Sequence, residues 1–399
     1  MSPMKEKLEE LERLIRRHAP EIREISDFIH SHPELGYEEF QASERIASYM
    51  ESQGFEVDRN VAGLATAFRA RYRIHAAPDT PCVCIPAEYD ALAGLGHGCG
   101  HNLISACSIA AALGAAEYAA AHELPLDLWL MGTPAEEGKG GKTVMLSKGA
   151  FDGVDMAVMA HPSHRTITEA GSLGVSRANI SFFGKASHAG AAPADGINAL
   201  DAMVYFYMDM LEWKKTIGPR ERVHGIITKG GDAANIIPDL TTAFFYVRAP
   251  EKESLAALRK KLEESVRKGA EKTGCRFKVE WSSSYSPVRF NHELSVRFRQ
   301  FWHEMGEDIP MLTGTENAGS TDMGDVTQAV PGAHFHFNIF EGEKSPGHSI
   351  GFRDAAGRDF GFDMALRTGA ALAGLALDFT GDKAFREQVR RDFESQEKH

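Results

Sequence analysis

Residues 95–104 read Leu-Gly-His-Gly-Cys-Gly-His-Asn-Leu-Ile and stand directly before a segment rich in alanine and leucine. Cys99 and His101 are two positions apart, and thiolate and imidazole are both common metal ligands. The surrounding glycines let the backbone approach an ion closely. The stretch therefore predicts half of a metal site on a loop that enters a buried helix. A lone Cys-x-His pair has an ordinary alternative, because single cysteines are usually small buried hydrophobes.

Strands alternate with helices in the first half of the chain. Apolar runs at 82–86, 126–131 and 156–160 predict buried strands, and residues 103–120 and 140–148 predict helices between them. This alternation favours an α/β fold with a mostly parallel sheet covered on both faces. In such sheets ligands collect beyond the carboxyl ends of the strands. The polar candidates found there are Asp90, Glu136, Glu137 and His161.

The pattern changes after about residue 172. Strand, helix, strand, strand, helix and strand follow in that order, which matches a small ferredoxin-like α+β sandwich. After residue 288 a helix, a strand and a long alanine-rich helix return to the first pattern. We therefore expect a catalytic domain formed by residues 1–172 and 289–399, and an inserted domain at 173–288. The charged tail from Asp382 has little to bury, so we expect it to fray.

Composition excludes several classes of protein. The chain has 399 residues, which is longer than a single hydrophobic core usually supports, so we expect two domains. Its formal net charge of −12 disfavours nucleic acid or an anionic membrane as a partner. Five cysteines lack the spacing of a disulfide framework, and the charged N-terminus does not resemble a secretory signal. Both features favour a reducing, cytoplasmic location. Glu117 and many alanines interrupt the apolar run 103–121, so we expect a buried helix and no membrane span.

Glu136 and Glu137 follow a predicted buried strand. A metallohydrolase needs one carboxylate to hold metal and another to carry a proton from the attacking water to the leaving group. Neighbouring side chains of an extended backbone point apart, so a Glu-Glu pair can divide these roles. The ordinary alternative is a solvated acidic turn.

His161 and His348 lie in turn-rich sequence, where either could be an ordinary loop histidine. Together with Cys99, His101 and Glu137 they supply one donor more than the four of a closed structural zinc site. Such a set suits two ions that share a bridging ligand and a water.

The motifs resemble the M20 family of metallopeptidases and amidohydrolases, and within it the aminoacylase and carboxypeptidase group called subfamily D. They run in family order along nearly the whole chain. The matching segments are residues 32–36 (HPELG) with 38–39, 97–101 (HGCGH), 136–138 (EEG), 184–189 (GKASHA), 235–238 (NIIP) with Arg248, 319–322 (GSTD) and 346–348 (PGH).

The resemblance implies a catalytic domain that carries two divalent ions, with Mn²⁺ or Zn²⁺ expected, and an inserted dimerisation or lid domain. Glu136 takes the place of the general base and acid, and Asp90 resembles an acidic residue near the metals, although a turn aspartate is nearly as good an interpretation. The implied metal ligands are Cys99, His101, Glu137, His161 and His348.

Three residues of the inserted domain also match the family pattern. His188 resembles a histidine that reaches the partner subunit's active site and stabilises the oxyanion, which would leave a monomer inactive. Asn235 and Arg248 resemble contacts to the substrate carboxylate, since a guanidinium binds a planar anion with two prongs. A surface position on a strand is the alternative for Arg248.

One position departs from the common pattern. Subfamily D most often has Asp after Cys-Gly-His, whereas this chain has Asn102. Residues 96–102 and 319–325 are instead similar to a branch that contains aminobenzoyl-glutamate hydrolase subunits and M20 domain-containing dipeptidases. The missing carboxylate removes one charge near the metals, so substrate preference does not transfer from the aminoacylases.

We therefore expect a homodimeric, metal-dependent hydrolase that cleaves the amide bond of N-acyl or N-aminoacyl amino acids. The competing interpretation is a non-catalytic or heteromeric subunit that needs another chain for activity. A thiol hydrolase with Cys99 as nucleophile and His101 as base is a third interpretation. It is disfavoured because near neighbours in a glycine loop rarely align base and thiol.

Overall fold

The computed structural model describes residues 2–168, 171–311 and 319–396. The described residues form two units: the first comprises residues 2–168, 171, 288–311 and 322–396, and the second comprises residues 172–287 and 319–321. Residues 319–321 therefore group with the second unit. The amide of Leu173 explains this grouping, because it donates to the carbonyl oxygen of Gly319 at 2.8 Å.

The helices of the described chain follow one another in this order: α1 (Pro3–Arg16), α2 (Ala19–Ser31), α3 (Phe40–Ser52), α4 (His101–Ala121), α5 (Gly141–Ser147), α6 (Ala199–Lys214), α7 (Lys252–Thr273), α8 (His292–Glu304), α9 (Met323–Ala329), α10 (Ile350–Ala356), α11 (Asp359–Gly381) and α12 (Lys383–Ser395). The strands are β1 (Glu56–Arg59), β2 (Phe68–Ile74), β3 (Cys82–Ala87), β4 (Leu126–Gly132), β5 (Met156–Ser163), β6 (Gly174–Phe183), β7 (Ser187–His188), β8 (Arg222–Lys229), β9 (Ile236–Ile237), β10 (Leu240–Ala249), β11 (Arg276–Tyr285) and β12 (Gly332–Asn338).

A six-stranded sheet in the order β1-β2-β4-β3-β5-β12 forms the centre of the first unit. The pairs β4–β3, β3–β5 and β5–β12 are parallel, and the pairs β1–β2 and β2–β4 are antiparallel. Every residue of β3 is buried, as expected for a strand that is covered on both faces. The predicted mostly parallel sheet is confirmed.

Helices α4 and α11 pack against each other in the core of this unit. A Cβ atom added to Gly369 on α11 would lie 2.8 Å from the Cβ of Ala110 on α4, so small residues bring the two axes close together. Both helices are long and apolar enough to cross a membrane by composition, yet 89% and 83% of their apolar windows are buried. Composition alone therefore does not exclude a membrane span at residues 103–121. The burial of both helices is what identifies them as core elements.

The second unit is an antiparallel four-stranded sheet in the order β11-β6-β10-β8, with α6 and α7 packed on it. Burial alternates strictly along β10, which indicates that one face of the sheet meets the helices. The order of elements is the predicted ferredoxin-like one. Strands β7 and β9 form a separate short pair, which the sequence did not reveal.

The expectation of a fraying C-terminal tail was wrong. Residues Lys383–Ser395 form α12, whose Phe385 and Val389 are buried one turn apart. Asp382 caps this helix by accepting a hydrogen bond from the amide of Phe385 at 3.1 Å. The guanidinium of Arg297 lies 4.1 Å from the centre of the Phe385 ring. Two apolar side chains and a cap were enough to dock a segment whose average composition is strongly charged.

Candidate active site

The candidate residues of the first unit lie at the carboxyl ends of its parallel strands. Cys99 is in the loop before α4, as predicted, whereas His101 is already the first residue of that helix. Gly100 between them has φ +71°, which is the left-handed region that favours glycine. His161 lies inside β5, which extends three residues beyond the predicted strand.

Five side chains from distant parts of the sequence meet in this region. The ligand atoms of Cys99, His101 and His161 lie within 4.8 Å of one another, and so do those of Cys99, Glu137 and His348. Cys99 belongs to both groups. The exposed His348 has φ +61°, and its amide donates to the carbonyl oxygen of Gly98 at 3.0 Å, which ties its loop to the Cys99 loop.

Asp90 fixes two of these residues at once. Its Oδ1 lies 3.1 Å from Nδ1 of His101, and its Oδ2 accepts the backbone amide of Glu137 at 2.8 Å. Burial alone would raise the pKa of Asp90, but His101 and these hydrogen bonds hold it below its ordinary value. Asp90 is therefore a carboxylate that orients His101 and leaves Nε2 of that ring facing the cluster.

The surroundings shift the pKa values of two buried histidines of this cluster in opposite directions. Burial alone would lower the pKa of His101, but the carboxylates of Asp90 and Glu88 raise it well above its ordinary value. Burial, aided by His101, lowers the pKa of His161 to about 4, so this ring is neutral. Its Nδ1 lies 2.7 Å from the carbonyl oxygen of Pro162 and must donate to it, which leaves Nε2 as an acceptor for a metal.

Glu136 belongs to a third group, in which its ligand atom and those of Glu88 and His101 lie within 4.8 Å of one another. Burial raises the pKa of Glu136 well above its ordinary value, and the carboxylates of Glu88 and Glu137 add to the effect. The preceding residue, Ala135, has φ +60°, and Glu39 holds it there by accepting its amide at 2.8 Å. A strained, supported turn thus presents a carboxyl group that holds a proton readily.

The sequence did not indicate a role for Lys142, Glu88 or Asp322. Lys142 on α5 is completely buried, and its Nζ donates to Glu88 at 2.6 Å and to Asp322 at 2.7 Å. Glu88 and Asp90 are two positions apart just after β3, and this spacing could have signalled two acidic groups on one side of an extended segment. No comparable signal marks Lys142 as buried.

The donors fit divalent metal ions. Oε2 of Glu88, Nε2 of His101 and Oε1 of Glu137 are buried and lack a hydrogen-bond partner among the described residues. Buried polar atoms nearly always have hydrogen-bond partners. Three buried atoms without such partners in one cluster therefore indicate that they bind something else, such as a metal ion. Thiolate, imidazole and carboxylate together suit a borderline-soft divalent cation.

His188, Asn235 and Arg248 all belong to the second unit. Nδ1 of the exposed His188 accepts the amides of Gly190 and Ala191 at 3.2 and 3.1 Å, so its proton lies on Nε2. The carbonyl oxygen of Asn235 accepts the amide of Ala189 at 2.9 Å, which brings Asn235 beside the His188 loop. Arg248 lies on β10, where its guanidinium donates to Ser320 at 2.8 Å.

Comparison with known proteins identifies the family. Residues 170–274 match the model of the peptidase dimerisation domain of M20 proteins. The chain is 38% identical over 402 residues to the Xaa-Arg dipeptidase of Mus musculus, a match that covers 96% of this chain and 93% of the relative. The chain belongs to the M20 family. One subunit of the p-aminobenzoyl-glutamate hydrolase of Escherichia coli is 35% identical to this M20 chain over 247 residues, which is 57% of the chain and 50% of that relative.

Solved structures of M20 proteins share the fold. An aminobenzoyl-glutamate utilization protein from Klebsiella pneumoniae is 18% identical, has a TM-score of 0.72 and covers 94% of this chain and 99% of its own. A dinuclear metal-binding M20 peptidase from Bacillus subtilis is 19% identical, has a TM-score of 0.69 and covers 91% of this chain and 99% of its own. These distant structures show the fold, and membership of the M20 family with its dipeptidase relative makes this chain a metal-dependent hydrolase of amide bonds, as the sequence predicted.

Proposed function

We propose that this M20 hydrolase cleaves dipeptides or N-acyl amino acids with two divalent ions, Mn²⁺ or Zn²⁺, held by Cys99, His101, Glu137, His161 and His348. The observation that carries the proposal is the shared position of Cys99 in two groups of donors, each within 4.8 Å. Dipeptides come first among the substrates, because relatives named Xaa-Arg dipeptidase are 38% and 36% identical over nearly the whole chain.

In this proposal Glu136 moves the proton. When bound, divalent ions lower the pKa of water and polarise the substrate carbonyl. The Glu136 carboxylate takes a proton from the attacking water and gives it to the nitrogen of the departing amine, so that the C–N bond breaks without release of an amide anion. Asp90 keeps His101 oriented throughout.

The neighbouring glutamates provide a matched test. Glu136→Gln should lower kcat by about 10²–10⁴ while the bound metal, measured by mass spectrometry, stays at the wild-type level. Glu137→Gln should lose metal as well as activity, because that residue is assigned as a ligand. The two variants differ by one position and carry the same chemical change. If Glu136→Gln keeps a tenth or more of wild-type turnover, the assignment of the proton carrier is wrong.

We also propose a homodimer that forms through the inserted unit. Its α6 exposes Val204, Met208 and Leu211 at spacings of four and three residues, which places them on one helix face. The Nε2–H of His188 is an exposed donor, suited to a carbonyl oxygen that becomes negative during the reaction. Asn235 and Arg248 would bind the substrate carboxylate.

Mixing experiments test the composite site. His188→Ala and Glu136→Ala homodimers should each be inactive. Subunits exchanged between them should regain up to about a quarter of wild-type activity, because half of a random mixture is hybrid and each hybrid has one intact site. An absence of rescue, with exchange verified by mass, would contradict a shared site.

A heteromeric enzyme is the second candidate, because the relative in Escherichia coli is named as a subunit. A hydrolysis assay separates the homomeric enzyme from the heteromeric one. Purified protein loaded with Mn²⁺ or Zn²⁺ would be tested on acyl amino acids and on dipeptides with basic or neutral C-terminal residues. Turnover by the homomeric protein excludes a need for another chain. We further propose a cytoplasmic location, which the odd number of dispersed cysteines supports and cell fractionation would test.

A further inference from the structure

Lys142 and its two partners form a buried cluster beside the donors predicted from the sequence. The side chains of Lys142, Glu88 and Asp322 are all fully buried, and the ammonium group is bonded to both carboxylates. Two carboxyl groups therefore share one ammonium group in the interior.

The two carboxylates differ in how their oxygens are used. Oδ1 of Asp322 accepts from Nζ of Lys142, and Oδ2 accepts from the backbone amide of Lys142 at 2.8 Å. Glu88 offers only Oε1 to Nζ. Its buried Oε2 lies 3.4 Å from Nε2 of His101, and neither atom has a hydrogen-bond partner within the described part of the chain. Lys142 therefore fixes Glu88 by one oxygen and leaves the other facing the metal cluster.

Two acceptors meet at this point. In the neutral form of His101, whose Nδ1–H donates to Asp90, Nε2 presents a lone pair, and Oε2 of Glu88 presents another. The ligand atoms of Glu88, His101 and Glu136 lie within 4.8 Å of one another, which is close enough for a group that could hold an ion. We propose that Glu88 is a further protein ligand of the ion that His101 binds, and that Lys142 positions it for this role.

The inference rests on the proposed two-ion function and adds a donor from the end of β3 that the resemblance did not supply. Lys142 has a defined part in it. By bonding to Oε1, the ammonium restricts Glu88 to a single donor oxygen and offsets part of the charge that the carboxylate brings to the ion.

Two isosteric variants separate ligation from simple charge. Glu88→Gln and Asp322→Asn each remove one buried negative charge bonded to Lys142, but only Glu88 has an oxygen open to the ion. Co²⁺ binding to chelator-treated full-length protein would be measured by calorimetry and by visible absorption. We expect Glu88→Gln to weaken one of the two ions by more than about 100-fold and to change its spectrum. Asp322→Asn should weaken binding by a smaller factor, at most about 10–100-fold, because it acts only through a neighbour.

Crystals of the wild-type protein loaded with Zn²⁺ give a result that does not depend on the folding of a variant. Anomalous scattering would locate the ions, and we expect Oε2 of Glu88 at about 2.0–2.2 Å from one of them. An Oε2 more than about 3 Å from every ion and bonded to His101 instead would overturn the proposal. Equal effects of the two variants on Co²⁺ binding would also overturn it.

Wild-type stoichiometry and turnover, measured on the same preparation, distinguish this failure from a failure of the proposed function. Two bound ions and normal hydrolysis with an uncoordinated Glu88 refute the ligand role alone. A wild-type protein that binds no ion refutes both.

Discussion

Replacement of Asn102 by Asp tests why this chain departs from the common subfamily pattern. The side chain is buried at the start of α4, and its Nδ2 donates to the carbonyl oxygen of Ala356 at 2.9 Å and to Oγ of Ser26 at 3.1 Å. Ala356 is the last residue of α10, so its carbonyl accepts no bond inside its own helix and needs an outside donor. A carboxylate cannot donate, and it would place a negative charge against that oxygen.

The contacts set the size of the effect. An orphaned buried carbonyl costs about 1–3 kcal/mol, and an uncompensated buried charge costs several more. The Ser26 hydroxyl can turn to donate to the carboxylate, which returns about 1.5–3 kcal/mol, and the positive end of α4 returns about 0.3–1 kcal/mol. We therefore expect Asn102→Asp to lower the free energy of unfolding by about 2–4 kcal/mol.

Urea unfolding at neutral pH, followed by circular dichroism on chelator-treated protein, measures this loss without a contribution from metal binding. Asn198→Asp is the matched control. Asn198 caps α6 by accepting the amides of Leu200 and Asp201 through Oδ1, and an aspartate keeps that acceptor. We expect the control to stay within about 0.5 kcal/mol of wild type. An Asn102→Asp protein as stable as this control would refute the reasoning.

Three further predictions concern stability. Burial, aided by Asp90, raises the pKa of Glu39 from 4.5 to about 7. Between these pH values the folded state keeps a proton that the unfolded state releases, so the free energy of unfolding falls as the pH rises from 4.5 to 7. Glu39→Gln can still accept the amide of Ala135 and does not titrate, so its stability relative to wild type should rise by up to about 3 kcal/mol across that range. Melting temperatures of the variant and the wild type that change in parallel from pH 5 to 8 would contradict this. Removing the metal should lower the melting temperature, and Mn²⁺ or Zn²⁺ at about 100 times Kd should restore about 2.7 kcal/mol per site; a melt insensitive to chelator would argue against a structural contribution of the ions. Gly369→Ala should cost about 1–3 kcal/mol by separating α4 from α11, whereas Gly381→Ala, with no atom within 4 Å of the added carbon, should cost nothing in the same denaturation assay.

The sequence was most informative where one periodicity extended over many residues. The long apolar helix after Cys99 and the buried strands could be told apart by the lengths of their apolar runs, and the β-α-β-β-α-β order of the insertion by the alternation of strand and helix patterns. Several short elements were not anticipated, although the seven-residue α5 was. Helices α9 and α10 have seven residues each, and β7 and β9 have two each, which is too few for a period to show. The predicted domain limits, the assigned roles of the site residues and the identity of the metal stay predictions.

Some residues of the candidate site could be predicted from the sequence, and others could not. Side chains whose chemistry is unusual for their surroundings, such as a cysteine and a histidine between glycines, could be selected from the sequence. Lys142 could not, because its importance comes from complete burial, and a lysine is ordinarily a surface residue. The same limit applies to Asn102. Its role depends on the carbonyl of Ala356, a partner that only the folded chain brings next to it.

The first unit is assembled from segments on both sides of the insertion, and this has a consequence for biosynthesis. His348 and helix α11 leave the ribosome only after the whole second unit has been translated. The nascent chain consequently carries the face of α4 that packs on α11 uncovered, and its set of donors incomplete, until residues 348–381 have been translated. Stable uptake of the ions therefore requires that segment, and a product truncated before it would be left without the ions.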